Sequence, residues 1–165
     1  MYKVGQYVVH PGQGVCKVEA IEDDPQATYM LMPVGGRHPM RISFPVASEG
    51  RLRPVIGRKQ AEQIIGEYTE LPLEELSSRS NALEEERFKT ELRRGSCRDA
   101  VRIAKTFRTR IEQVRASNKR PPVAYERIFK QASERSLQEL AVAMGVSEDD
   151  VAQLLRASEE DARNN

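Results

Sequence analysis

The chain has 165 residues, with 26 Lys and Arg against 25 Asp and Glu for a net charge of +1, two cysteines, two histidines and no tryptophan. That length holds one or two small domains with modest cores, and two lone cysteines without CxxC spacing give no framework for a disulfide-rich secreted fold. No apolar signal region opens the chain and no run approaches the roughly 18 apolar residues of a membrane span, so a soluble cytoplasmic protein with no membrane partner is expected.

Residues 1–56 carry the period of strands. An apolar run at 6–10 meets the turn Pro11-Gly12-Gln13-Gly14, and residues 14–22 then alternate as a half-buried strand does. A turn at 23–26 leads to a third strand at 27–34, a turn at 35–38 to a fourth at 39–46, and residues 52–56 add a short fifth. Short strands joined by tight turns suggest a small open barrel. Pro33, Pro39 and Pro45 lack an N–H, which places them at strand ends or on an edge. The Pro-Gly-x-Gly turn is no phosphate loop. A Walker loop needs Gly, four residues, then Gly-Lys-Ser/Thr opening a helix, and here Gly12 and Gly14 stand two apart before a strand.

After Gly57 the period becomes helical. Helices are predicted over 58–69, 81–94, 96–115, 122–144 and 148–157, with Gly95 and Gly145 as stops, Pro122 in a first turn, Ser147 opening a capping box and a frayed tail. On the third of these, Ala100, Ile103, Ala104, Phe107, Ile111 and Val114 share one face, and Arg98, Arg102 and Lys105 stack on the other. In the last two, Tyr125, Ile128, Phe129, Ala132, Leu137, Leu140, Val151 and Leu154 are expected to point inward. The fold class is α+β: a five-stranded open β-barrel at 1–56 followed by an all-helical domain at 57–165.

The near-neutral total hides blocks. Residues 1–60 carry +3, residues 61–86 carry −7, residues 87–130 carry +10 and residues 131–165 carry −5. The basic block is either a solvated helix face balanced by acidic neighbours or an anion-attracting surface. Residues 137–155 have the outline of a helix-turn-helix, but the second helix opens with Glu148, Asp149 and Asp150, which repel phosphate. A packing hairpin is the simpler reading. Glu84-Glu85-Glu86 reads as a solvated run rather than a catalytic pair. With no local nucleophile signature, and with His10 and His38 read as structural, no enzyme, metal or cofactor is expected. The fourth strand, Met40-Arg41-Ile42-Ser43-Phe44-Pro45, lies on an edge that either recruits another protein's strand or is protected by its prolines. In the recruiting case Ile42 is expected to supply a ladder donor.

Val8-Val9-His10-Pro11-Gly12-Gln13-Gly14-Val15, then Val18-Glu19-Ala20-Ile21-Glu22, then Met40-Arg41-Ile42-Ser43-Phe44-Pro45-Val46 closely resembles the CarD family of bacterial RNA polymerase-binding transcription regulators. His10 stands where the family usually has tyrosine. The resemblance implies a Tudor/SH3-like polymerase-interacting barrel, shared with the transcription-repair coupling factor, that pairs an edge strand with the polymerase β subunit. Met40, Arg41, Ile42, Ser43, Phe44 and Pro45 would then form the polymerase contact. It also implies a monomer whose helical domain touches promoter DNA and stabilises the open complex. Here the sequence departs from its relatives. Counted back from Gly95, the family's tryptophan and basic cluster fall on Asn81 and on Glu84, Glu85 and Glu86, which supply neither an apolar wedge nor positive charge. Two expectations stay open. DNA is met by a displaced basic set (Arg87, Lys89, Arg93, Arg94, Arg98, Arg102 and Lys105), or the chain is a polymerase-binding adaptor without that grip. The acidic segment 62–86 could serve a further partner.

Overall fold

The computed structural model describes residues 1–75 and 80–165. Strands β1 (Tyr7–His10), β2 (Gly14–Glu22), β3 (Thr28–Pro33), β4 (Ile42–Pro45) and β5 (Arg53–Pro54) form one antiparallel sheet in the order β4-β3-β2-β1-β5. A register shift between Val18 and Ala20 bends β2, and such a bulge sharpens the twist of a strand. The curled sheet encloses Val8, Val18, Tyr29, Leu31, Phe44 and Leu52. The period-two alternation of the sequence therefore built a small five-stranded open barrel. The strands β1 and β3 are trimmed by a residue or two, and β4 and β5 by more, β5 spanning two residues rather than five. β4 starts at Ile42 rather than residue 39, and residues 46–51 coil into a 3₁₀ turn, Val46–Arg51, whose Glu49 carboxylate accepts the Tyr29 hydroxyl.

Five helices follow: α1 (Arg58–Gly66), α2 (Asn81–Arg94), α3 (Cys97–Ala116), α4 (Val123–Met144) and α5 (Glu148–Asn164). Ser80, Ser96 and Ser147 cap α2, α3 and α5 by accepting a backbone N–H, which satisfies an otherwise orphaned donor. Gly145 closes α4 in the left-handed conformation that glycine adopts without a Cβ penalty. The predicted first helix is shorter, with a separate 3₁₀ turn at Tyr68–Glu70. The predicted last helix is longer. Instead of fraying after residue 157 it runs to Asn164, because Glu159 reaches Arg108 of α3. Leu154 is exposed, and Leu155 packs inward beside Val151 in its place. Among the described residues no helix is long and apolar enough to cross a membrane.

α3 is buried along two flanks. Cys97 and Val101 pack with Ala61, Ile64, Leu140 and Val151, while Ala100, Ile103 and Phe107 pack with Phe88, Leu92, Ile128 and Ala132. Phe107 lies edge-on to both Phe88 and Tyr125, the geometry aromatic quadrupoles favour.

The barrel and the helices are joined by polar contacts from one face of α4. The Glu139 carboxylate is buried and accepts both Arg53 guanidinium nitrogens at 2.7 Å, together with the Ile56 N–H at 3.1 Å. One turn earlier, Arg135 donates to the Pro11 carbonyl at 2.7 Å. Between them Gln138 lies over the turn glycines. A Cβ on Gly14 would stand 2.9 Å from the Gln138 carboxamide oxygen, and a Cβ on Gly35 would overlap the same side chain. Gly14 also has φ +76, where an L side chain is strained. The Pro-Gly-x-Gly turn thus seats α4 against the barrel.

His10 organises that turn. Its Nδ1 accepts the N–H groups of Gly12 and Gln13 at 3.0 and 3.1 Å, so the ring must be unprotonated there. Burial, reinforced by the Arg135 and Arg51 charges, holds its pKa below the ordinary 6.5.

Two outcomes follow from these contacts. Glu139→Ala leaves the partly buried Arg53 without its carboxylate and should cost about 2–3 kcal/mol in urea unfolding, between the surface and buried regimes of ion pairs. Arg115→Ala, whose pair with Glu126 is exposed, should cost less than about 0.5 kcal/mol. For His10, the unfolded chain binds a proton below pH 6.5 more readily than the folded chain does. Its contribution to stability is therefore complete above pH 6.5 and declines as the pH falls from there toward the lowered folded value. A stability–pH profile should show this loss, and His10→Gln should flatten that part of the curve.

Candidate functional site

β4 forms one outer edge of the barrel, pairing with β3 alone. The Val46 N–H donates to the Ala27 carbonyl. Backbone groups on an antiparallel strand alternate sides, so Phe44 and Ile42 also direct their N–H and C=O groups into β3. Ser43 directs its own away from the sheet. Pro45 follows on that outer side, where its missing N–H breaks no ladder bond. The expectation that Ile42 offers the recruiting donor is therefore corrected: the outward N–H is that of Ser43. The six expected contact residues divide accordingly. Met40, Arg41, Ser43 and Pro45 are exposed, Met40 by 78%, while Ile42 is half-buried and Phe44 is a core residue set edge-on to His10. Arg41 is tethered by a 2.9 Å ion pair to Glu19 on β2.

The opposite edge differs. β5 is two residues long and tied through Arg53 to α4. Short, covered edges resist strand pairing, which leaves β4 as the accessible template.

The basic stripe on α3 is balanced by acidic neighbours, one of the two readings of the block, with Arg98 exposed and Arg102 and Lys105 half-buried. Lys105 donates to the carbonyls of Tyr68, Thr69 and Leu71 at 2.9, 3.0 and 2.7 Å, and an ammonium has three donors to give. Burial, with Arg108 adding to it, holds its pKa below the ordinary value. Arg102 pairs with Glu74 at 2.7 Å and with Asp99 at 3.2 Å, and Arg98 pairs with Glu67. On α2, Arg87 pairs with Glu74 and Glu91, and Lys89 with Glu85. Of the seven expected DNA-binding residues, Arg93 and Arg94 are the pair that is exposed and makes no ion pair among the described residues.

The expectation of a solvated acidic run is corrected. Glu84 is 1% exposed and pairs with Arg110, whose guanidinium lies over the rings of Phe107 and Tyr125 and also donates to the Glu74 carbonyl. Glu85 pairs with Lys89 and Arg127. Asn81, Leu83 and Glu86 are exposed in the first turns of α2. Four of the eight acids of segment 62–86, Glu67, Glu74, Glu84 and Glu85, thus pair with the basic block of the same chain, and residues 76–79 lie outside the described residues.

The hairpin of α4 and α5 packs through Leu140, Ala141, Val151 and Leu155, and its exposed Glu148, Asp149 and Asp150 serve as the first turn of α5. Both thiols are buried. Burial pushes Cys16 up to about 11 and pushes Cys97 up as well, with Glu139 beside it.

Sequence reasoning missed Glu139, Arg135, Gln138 and Arg110. The spacing of an acid or arginine within its own helix carries no sign of a partner 86 or 124 residues away. A polar residue falling among apolar positions of α4, as Glu139 does beside Leu140, was the signal available.

Residues 2–56, one third of the chain, match the family of the CarD-like/TRCF RID domain. No curated protein matches the chain. The barrel is a CarD-like RNA polymerase-interacting domain, and it gives the chain a polymerase-binding role in transcription.

Proposed function

We propose that this CarD-like chain is a non-enzymatic transcription regulator whose β4 edge adds a strand from the polymerase β subunit, and that it thereby modulates promoter open-complex stability. The observation that carries the proposal is the open side of β4. It presents the N–H and C=O of Ser43 between exposed Arg41 and Pro45, while Phe44 and Ile42 lock the strand to the core. Strand addition draws affinity from main-chain hydrogen bonds and specificity from alternate side chains. Arg41 and Met40 supply the latter. The buried, protonated thiols and the structural role of His10 support a binding protein rather than a catalyst.

A second reading is favoured by the ion pairs on α3. With Lys105 saturated by three carbonyls and Arg98 and Arg102 held by acids, this face does not offer the phosphate grip expected of it. A polymerase-binding adaptor that does not hold the duplex through α3 fits these contacts better. Asn81 supplies no wedge, since partial unstacking of a base step takes an apolar or aromatic side chain.

Capture of the polymerase β subunit by the full chain tests the first reading. Ser43→Pro removes the outward donor and strands a partner carbonyl, a loss of about 1–3 kcal/mol, or roughly five- to 150-fold in affinity. Ser43→Ala keeps the N–H and should bind as the native chain does. Equal binding by all three, with the barrel shown to be folded by its amide spectrum, would contradict strand addition at β4.

A further inference from the structure

A second feature lies where the barrel meets α2. A cleft of about 550 Å³ opens between the end of the 3₁₀ turn Val46–Arg51 and the last turn of α2. Arg51 and Arg53 line it from the barrel, and Thr90, Arg93 and Arg94 from the helix, with no carboxylate among its lining residues. Arg53 is neutralised by Glu139, whereas Arg51, Arg93 and Arg94 make no ion pair among the described residues. Behind the cleft, Arg135 donates only to neutral oxygens, the carbonyls of Pro11 and Leu92. Its pKa is held down by burial and then by the charges of Arg93 and Arg53. The acids near Arg94 are engaged elsewhere: Glu91 pairs with Arg87, and Asp99 caps Ser96 and pairs with Arg102.

The end of a helix explains part of this arrangement. Arginines in the last turn complement the negative end of the helix dipole, and that accounts for Arg93 and Arg94 on α2 alone. It does not account for Arg51 facing them across the cleft, or for Arg135 placed behind them without an acid. Like charges gathered in a concave, partly desolvated site raise one another's energy unless an anion joins them.

We propose that this cleft binds a phosphate group. Guanidinium forks match the several oxygens of a phosphate by paired, charge-assisted hydrogen bonds, and the Thr90 hydroxyl adds a neutral donor. The volume exceeds what one carboxylate fills and takes a diphosphate. The phosphate is supplied either by a free phosphoester or by the backbone of a nucleic acid, and the site stands apart from the β4 edge, which lies across the sheet from β5.

Calorimetric titration of the full chain with inorganic pyrophosphate at low ionic strength tests the site. The expected result is saturable binding at one site, weakened roughly tenfold by Arg51→Gln and again by Arg93→Gln, since each removes a charge-assisted hydrogen bond to the phosphate. Arg115→Gln, the same charge change at an exposed residue far from the cleft, should leave binding unchanged. Absence of saturation, or equal weakening by Arg115→Gln, would overturn the proposal. Competition names the source: a short duplex that displaces pyrophosphate from the native chain, and that itself binds the Arg51→Gln/Arg93→Gln chain more weakly than the native chain, assigns the site to backbone phosphate. A duplex that leaves pyrophosphate bound assigns it to a free phosphoester.

Discussion

Glu139 projects from α4 with its carboxylate buried, and the relation of the helices to the barrel depends on what it accepts. Two guanidinium nitrogens of Arg53 and the N–H of Ile56 converge on it. A buried carboxylate is costly unless its charge and lone pairs are met, so the fold keeps these groups together or not at all. Arg53 belongs to the short edge strand β5, and Ile56 ends the barrel segment. The same contact therefore closes one edge of the sheet and fixes the first residues of the helical region. With Gln138 resting on Gly14 and Gly35, and Arg135 on the Pro11 carbonyl, one face of α4 meets two turns of the barrel as well as β5. The consequence for function is an asymmetry of edges: β5 is held by α4, and β4 is left open.

Charge in the helical region follows the same economy. A block of +10 beside a block of −7 suggests a surface that attracts anions, yet half of the acids of the second block pair with the first. Glu74 joins Arg87 on α2 to Arg102 on α3, Glu84 buries against Arg110, and Lys105 closes the 3₁₀ turn at Tyr68–Glu70. These contacts hold residues 68–74, which follow α1, against α3. Arg93, Arg94, Lys119, Arg120 and Lys130 of the basic block make no ion pair among the described residues, and of these Arg93 and Arg94 gather with Arg51 opposite and Arg135 behind. Net charge per segment measures what a segment carries, and pairing decides how much of it solvent sees.

Much of the fold was legible because it rests on local signals. Alternation marked β2, apolar runs between turns marked β1 and β3, the prolines marked strand ends, and Gly95, Gly145 and the Ser147 capping box marked the end of α2, the end of α4 and the start of α5. The candidate edge was legible too, from Met40 to Pro45. Its polarity was not: whether Ile42 or Ser43 donates outward depends on register with β3, and a shift of one residue exchanges the two. Phe44 was grouped with the contact residues because it lies in the motif, although its alternation with Ser43 places it in the core. The basic stripe misled for another reason. Spacing shows that Arg98, Arg102 and Lys105 share a helix face, but the residues covering that face come from 67–74, and no local rule links the two. The extension of α5 beyond residue 157 likewise rests on one long-range pair, Glu159 with Arg108.

On the proposed reading, polymerase is met at the outward backbone of β4. Residue-resolved amide hydrogen exchange of the full chain, with and without the polymerase β subunit, tests it most directly. Phe44 and Ile42, already bonded within the sheet, should exchange slowly in both states, and Ser43 should pass from fast to slow exchange on binding. Binding that protects amides elsewhere while Ser43 continues to exchange as in the free chain would contradict the claim.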